Sequence, residues 1–155
     1  MFNIVLFEPQ IPQNTGNIAR TCAVTGSALH LIRPYGFSIS ERQLKRAGLD
    51  YWSTLKLAEY SGFEEFLAEA NPKMLYPVST KGTAAYSDFS YKDEDFFLFG
   101  SETSGLPERI HEAYADSRIR IPMLDTKEAR CLNLSVSAAV VLYEALRQIR
   151  YINLR

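Results

Sequence analysis

The sequence predicts an α/β fold in which a mostly parallel sheet is covered by helices on both faces. Short apolar runs alternate along the chain with stretches whose apolar residues recur at helical spacing. The apolar runs are nearly continuous, which is typical of parallel strands buried on both faces. With 155 residues, 46% of them hydrophobic and 23% charged, the chain suits one compact domain, and we expect a single domain over 1–155.

Six apolar runs predict the strands of this sheet. Runs of this length form strands more readily than helices when they are bounded by turn residues and contain many β-branched or aromatic side chains. They are NIVLF (3–7), LHLIR (29–33), KMLYPV (73–78), DFFLFG (95–100), RIRIP (118–122) and, with a weaker pattern, TLKLAEY (54–60).

Five stretches between and after these runs predict helices. They are 16–26, 40–47, 62–70, 107–114 and 134–150. Pro107 suits the first turn of its helix, and Asn71-Pro72 ends the helix before it. The last stretch contains VSAAVVLYEAL, whose early turns are apolar or small on every side. Such a helix must be buried all round, against the sheet or against a partner subunit, and this favours a homodimer.

Composition argues against several classes of protein. The two cysteines, Cys22 and Cys131, lie far apart and in no CxxC pattern, so neither a metal knuckle nor a disulfide framework is indicated. His30 and His111 are too far apart in sequence to indicate a zinc site, and we expect no metal. No GxSxG motif of a hydrolase is present. Since no run approaches the roughly 20 apolar residues of a membrane span and no signal peptide is seen, we expect a cytoplasmic protein with no membrane partner.

The charge is small in total but unevenly distributed. The formal net charge is −1, while residues 1–56, 57–116 and 117–155 carry +3, −8 and +4. If the two basic ends meet in space, they offer a positive face to a phosphate backbone. A solvated mosaic of charges explains the same distribution.

Three stretches are almost free of charge and each has a polar centre. Arg20 is the one charged residue between Glu8 and Arg33, and Glu102 is the one between Asp95 and Glu108. Residues 131–143 carry no charge but include Asn133. A lone charge among small and apolar neighbours is costly unless it is paired.

Two interpretations of these polar centres remain open. In the first, Arg20 and Glu102 form a structural ion pair while Asn14 and Asn133 cap helices. In the second, all four converge on a ligand, with glycines beside Glu102 allowing close backbone approach. GSETSG at 100–105 lacks the ending of a phosphate-binding P-loop, and GxGxxG occurs nowhere.

Three segments carry a resemblance to a known family. PQNTGNIART (12–21), FGSETSGLP (99–107) and RIPMLDTKEARCLNLSVSAAVVLYEA (120–145), in this order, closely resemble the three motifs of SPOUT RNA 2'-O-ribose methyltransferases. The whole chain, with EPQIPQNTGN (8–17) and KRAGLDYW (45–52), is similar to the small tRNA (cytidine/uridine) members that methylate the anticodon wobble nucleotide of leucine tRNAs.

The resemblance implies a fold, a cofactor and a partner. Proteins of this family bind S-adenosylmethionine in a deep trefoil knot near the C-terminus and work as homodimers on RNA, here tRNA. Composition alone would not predict a knot, because chains ordinarily avoid them. By position in the motifs, the expected cofactor-binding residues, acting mostly through their main chain, are Val78, Gly100, Ile121, Cys131 and Leu132.

The resemblance also assigns the catalytic residues. The arginine that matches Arg20 stands at the acceptor ribose, where we expect it to grip an RNA phosphate and stabilise the developing alkoxide. A guanidinium hardly releases a proton, so a phosphate oxygen or water would take the acceptor proton. Asn14, Glu102 and Asn133 match other polar positions of the site and would orient Arg20 or the ribose.

A basic stretch followed by aromatic residues is the expected RNA contact. Tyr51 and Trp52 follow Arg42, Lys45 and Arg46, a combination that suits an unstacked anticodon loop, although Trp52 could equally pack in the core. Two rival functions remain: an RNA-binding protein of the same fold without catalysis, and a 2'-O-methyltransferase for another tRNA or rRNA site.

Overall fold

A computed structural model describes residues 1–37, 54–124, 126, 131–152 and 154–155. Its strands are β1 Asn3–Phe7, β2 Ala28–Ile32, β3 Lys56–Tyr60, β4 Leu75–Val78, β5 Ala84–Ala85, β6 Phe96–Phe99 and β7 Ile119–Arg120. Its α-helices are α1 Pro12–Thr25, α2 Phe63–Ala70, α3 Glu108–Ala113 and α4 Leu134–Gln148. Short 3-10 turns occupy Tyr86–Asp88 and Ala115–Ser117.

The strands form one parallel sheet in the order β3-β2-β1-β6-β4-β7-β5. Leu6 of β1 lies opposite Phe99 of β6, which lies opposite Val78 of β4. The carboxyl ends of three central strands therefore meet at one edge of the sheet, where α/β proteins usually bind their ligands. The predicted parallel α/β architecture is confirmed.

Helices cover both faces of the sheet, and the alternation of strand side chains explains why. Ile4 and Leu6 of β1 enter the apolar cluster that contains the buried residues of α1 and α4. Val5 and Phe7 point the other way, into the cluster that contains residues of α2 and α3. Because the central strands β1 and β6 bury both sets of side chains, their sequences are apolar almost throughout and do not alternate with polar residues.

The structure changes some of the predicted boundaries. Helix α1 begins at Pro12, four residues before the predicted start, because proline needs no N–H partner at a first helical position. Strand β5 was not predicted, since two alanines carry no strand pattern. The predicted helix at 40–47 and the proposed RNA contacts at 42–52 lie outside the described residues.

Helix α4 is buried on one side in the single chain. Ala138, Val141 and Leu142 are inaccessible to solvent or nearly so, whereas Val136 and Tyr143 are 47% and 46% exposed. The expectation of burial all round is therefore not met within one chain.

Among the helices of the described ranges, none combines the length and apolar character needed to cross a membrane.

His30 is a core histidine whose ring has partners on both nitrogens. Its Nδ1 lies 2.9 Å from the hydroxyl of Tyr60, and its Nε2 lies 3.2 Å from the side-chain oxygen of Asn3. Burial lowers the pKa of His30 to about 4. The ring is thus neutral at physiological pH and serves packing, as its place in an apolar strand predicts.

Candidate active site

A cavity of about 500 Å³ opens at the carboxyl ends of β6, β4 and β7. Its volume lies in the range of small-molecule sites. Eight of the nine predicted site residues line it, and of the four polar residues of the second interpretation only Arg20 is outside the lining. The eight are Asn14, Glu102 and Asn133, with Val78, Gly100, Ile121, Cys131 and Leu132.

The carboxylate of Glu102 joins the loop after β6 to the start of α1. Its Oε2 accepts from the backbone N–H of Gln10 at 2.8 Å, and its Oε1 accepts from the backbone N–H of Ile11 at 3.2 Å. Oε1 also accepts from the side-chain amide of Asn14 at 2.9 Å. The carboxylate thus satisfies N–H groups just before α1, whose N-cap, Ile11, provides no side-chain cap.

These hydrogen bonds keep Glu102 ionised. Burial raises the pKa of Glu102, but the hydrogen bonds from Asn14, Gln10 and Ile11 outweigh it and leave the pKa below its usual value. At neutral pH the group therefore accepts hydrogen bonds and donates none. Its role as an acceptor is fixed.

Asn14 and Asn133 extend this network to the third segment. The amide nitrogen of Asn133 donates to the side-chain oxygen of Asn14 at 2.9 Å. The side-chain oxygen of Asn133 accepts from the backbone N–H and the hydroxyl of Ser135, at 2.9 and 2.7 Å, and so caps α4. We call Glu102, Asn14 and Asn133 the polar relay. Asn133 is a helix cap as the first interpretation held, but Asn14 is not.

The loop after β6 is folded tightly on itself. The backbones of Ser101 and Gly105 exchange two hydrogen bonds, at 3.2 and 3.0 Å. Gly105 has a φ of +67°, which favours glycine. A Cβ on Gly100 would lie 2.6 Å from the carbonyl oxygen of Gly105. Glycine at both positions therefore allows the loop to close and to present Glu102 to α1.

Arg20 lies outside the cavity lining. It is six residues beyond Asn14 on α1, about 9 Å along the helix axis, and its side chain is exposed. Among the ion pairs between described residues, none joins Arg20 to Glu102, whose carboxylate is instead occupied by the contacts given above. The structural ion pair of the first interpretation is therefore not formed, and Arg20 is an exposed residue of α1 outside the cavity lining.

The two cysteines differ in exposure, and the buried Cys22 does not have the environment of a nucleophile. Burial raises the pKa of the Cys22 thiol to about 12, so this thiol stays protonated in the core. Cys131 is exposed and lines the cavity.

Within the described part of the chain, no three His, Cys, Asp or Glu side chains are grouped in a way that could hold a metal ion.

The structure adds site residues that the sequence interpretation missed. Gln10 and Ile11 hold Glu102 through backbone N–H groups, which no side-chain pattern reveals. Ser79 and Lys81 follow β4 and line the cavity, as does His111 of α3.

The chain matches a family model over most of its length. Residues 1–143 match the model of the SpoU rRNA methylase family. The match includes the three residues of the polar relay, Asn14, Glu102 and Asn133.

Individual relatives are similar over nearly the whole chain. The tRNA (cytidine(34)-2'-O)-methyltransferase of Escherichia coli K12 is 49% identical over 152 residues, covering 97% of this chain and 96% of that protein. A solved structure concerned with 2-OH methylation of C/U34 on tRNA has a TM-score of 0.88 at 41% identity, covering 97% of both chains. An AdoMet-bound rRNA methyltransferase from Sinorhizobium meliloti has a TM-score of 0.81 at 25% identity, covering 96% of this chain and 56% of that one.

Replacing Gly100 with alanine tests the closed loop. We expect Gly100→Ala to lower the free energy of unfolding by about 1–3 kcal/mol, because the new methyl group meets backbone atoms that cannot move aside. Urea unfolding followed by circular dichroism measures this change. Gly16→Ala is the matched control. A Cβ there meets nothing within 4 Å, so this helical substitution should stabilise by about 0.5–1 kcal/mol. Equal stability of the two variants would contradict the account of the loop.

Proposed function

The chain belongs to the SpoU rRNA methylase family, and we propose that it transfers a methyl group from S-adenosylmethionine to the ribose 2'-hydroxyl of tRNA nucleotide 34. The observation that carries this proposal is the polar relay. It links the three motif segments around one cavity, and Arg20 is exposed on α1, the helix that carries Asn14. The similarity to tRNA (cytidine(34)-2'-O)-methyltransferases at 49% identity supports the choice of nucleotide.

The cavity fits an adenosyl ligand. It is bounded by strand ends and by the main chain of two loops, one after β6 and one before α4, and its lining mixes apolar side chains with polar groups. Val78, Ile121 and Leu132 supply apolar walls, while Gly100 brings its backbone to the cavity without a side chain. When bound, the sulfonium cofactor supplies an activated methyl group. The protein then needs to align the ribose 2'-hydroxyl with that methyl group and to allow the removal of one proton from the hydroxyl.

We propose that Arg20 acts at the acceptor ribose of the tRNA. It is exposed on α1, the same helix that carries Asn14 into the polar relay. A guanidinium at this place grips an RNA phosphate and stabilises negative charge as it develops on the ribose oxygen. It does not act as a base, because a guanidinium hardly releases its proton in proteins.

The side chains of the polar relay hold other groups in position and take no chemical part in the methyl transfer. Asn14 holds α1 against the loop that carries Glu102, and Asn133 ties the start of α4 to the same point. We propose that these contacts set the position of Arg20 relative to the cavity. The acceptor proton passes to a phosphate oxygen of the RNA or to water.

We further propose a single knotted domain that functions as a homodimer in the cytoplasm. Strand β7 lies between β4 and β5 in the sheet. Ile121, just after β7, and Leu132, just before α4, line the same cavity. This arrangement suits the C-terminal trefoil knot. The exposed Val136 and Tyr143 of α4 offer an apolar face for the second subunit. Leucine tRNAs are the proposed isoacceptors.

Labelled methyl transfer tests the proposed reaction directly. The protein is incubated with total tRNA and S-adenosylmethionine labelled in its methyl group, and the tRNA is then digested to nucleosides. We expect the label on the ribose of nucleotide 34 of leucine tRNAs. A label on a base would contradict the reaction, and no label in any tRNA would favour the rival RNA-binding protein without catalysis.

Replacing Arg20 tests its role at the acceptor. We expect Arg20→Ala to reduce the rate of methyl transfer by at least about 100-fold, because the charge that stabilises the alkoxide is lost. Binding of S-adenosylhomocysteine, measured by calorimetry, should stay within about twofold, because Arg20 lies outside the cavity lining. Arg109→Ala is the control, since Arg109 is exposed on α3 and pairs with Glu64. Near-normal turnover of Arg20→Ala would remove Arg20 from the mechanism.

A further inference from the structure

A cluster of aromatic and charged side chains lies at the carboxyl edge of the sheet, outside the cavity lining. Arg33, Tyr35 and Phe37 follow β2, and Glu59 belongs to the neighbouring strand β3. We call these four residues the edge cluster. In the sheet, only β1 separates β2 from β6, whose following loop lines the cavity. Because neighbouring strands lie about 4.8 Å apart, β2 is roughly 10 Å from β6.

The guanidinium of Arg33 is held in place by two partners. Its Nη2 donates to Oε2 of Glu59 at 2.7 Å, and its Cζ lies 4.7 Å from the centre of the Tyr35 ring. The second distance is within the range of a cation–π contact. The side chain of Arg33 is nevertheless 54% exposed. Since an exposed ion pair adds little to folding stability, these contacts matter more for fixing the guanidinium than for folding.

The aromatic rings support this guanidinium. The hydroxyl of Tyr35 donates to Oε2 of Glu59, the oxygen that also accepts from Arg33. Burial and the contact with Glu59 raise the pKa of Tyr35 to about 12, so the hydroxyl stays protonated. The ring of Tyr35 packs against the apolar core, and its centre lies 5.2 Å from that of the partly exposed Phe37. The core and Glu59 therefore fix the ring on which Arg33 rests.

The chemistry of the edge cluster selects the kind of partner. Unpaired RNA bases stack on aromatic rings and on guanidinium planes, and the cluster combines both at the surface. Its formal charge is zero, because Glu59 neutralises Arg33, so it lacks the net positive charge that binds a phosphate backbone. Its place on the same sheet edge as the cavity brings it within reach of nucleotides next to an acceptor bound there.

We infer that an unpaired base of the tRNA, in the same loop as the acceptor nucleotide, stacks on Arg33 and the rings beside it. This inference rests on the proposed function and adds to it an RNA contact outside the cavity. The contact holds the tRNA on the protein and takes no part in the chemistry.

Methyl transfer to tRNA, with KM for tRNA and kcat measured separately on the full-length protein, tests the inference. We expect Arg33→Ala to raise KM at least about fivefold, the lower end of the effect of losing one stacked base. The kcat should stay within about twofold, because the base makes the same contact before and during the reaction. Arg33→Lys keeps the charge but loses the planar group, so it should raise KM about as much as Arg33→Ala.

Variants of Tyr35 separate the ring from its hydroxyl. Tyr35→Leu keeps apolar bulk against the core but removes the ring under Arg33, and it should raise KM for tRNA. Tyr35→Phe keeps the ring and should stay within about twofold of the wild-type KM. Arg109→Ala is the matched control, since Arg109 is also exposed and pairs with Glu64 at 2.7 Å. It should leave KM unchanged. Circular dichroism and binding of S-adenosylhomocysteine verify that each variant is folded.

The outcomes distinguish this inference from the proposed function. An unchanged KM in Arg33→Ala, or an equal rise in Arg109→Ala, would overturn the stacking contact. A wild-type KM in Arg33→Lys would also overturn it, because a charge alone would then suffice. In each of these cases the wild-type protein still methylates tRNA and the proposed function stands. Absence of methyl transfer to tRNA by the wild-type protein would instead overturn the proposed function, and the inference with it.

Discussion

The carboxylate of Glu102 organises the site, because it is a charge that can only accept hydrogen bonds. Two backbone N–H groups before α1 and the amide of Asn14 converge on it. This fixes the orientation of the Asn14 amide, whose oxygen must then turn toward the amide of Asn133. The direction of every hydrogen bond in the polar relay follows from one ionised group. Segments about 90 and 120 residues apart in sequence are thereby held at one place.

The sheet makes this convergence possible. Parallel pairing of β1, β6 and β4 brings the carboxyl ends of three strands to the same edge of the sheet. Helix α1, which follows β1, and helix α3, which follows β6, pack on opposite faces. The cavity opens beside these strand ends, and its lining includes the polar relay and His111 of α3.

Much of this was predictable from the sequence, and the exceptions have physical reasons. Continuous apolar runs predicted β1 and β6 almost to the residue, and the lone charge of Glu102 among small residues indicated a polar centre. The ion pair with Arg20 was the wrong alternative, since spacing cannot show which hydrogen bonds a carboxylate accepts. The role of Gln10 and Ile11 was not predictable, because it belongs to backbone N–H groups. His111 was passed over because its neighbours in sequence are charged, whereas its burial arises from tertiary packing.

The most direct test of the central claim is a crystal structure of the protein with S-adenosylhomocysteine bound. The account predicts the ligand in the cavity between the loop after β6 and the start of α4, with the Glu102–Asn14–Asn133 hydrogen bonds intact and Arg20 facing the opening. A ligand bound elsewhere, or a cavity in which these three side chains have separated, would contradict it.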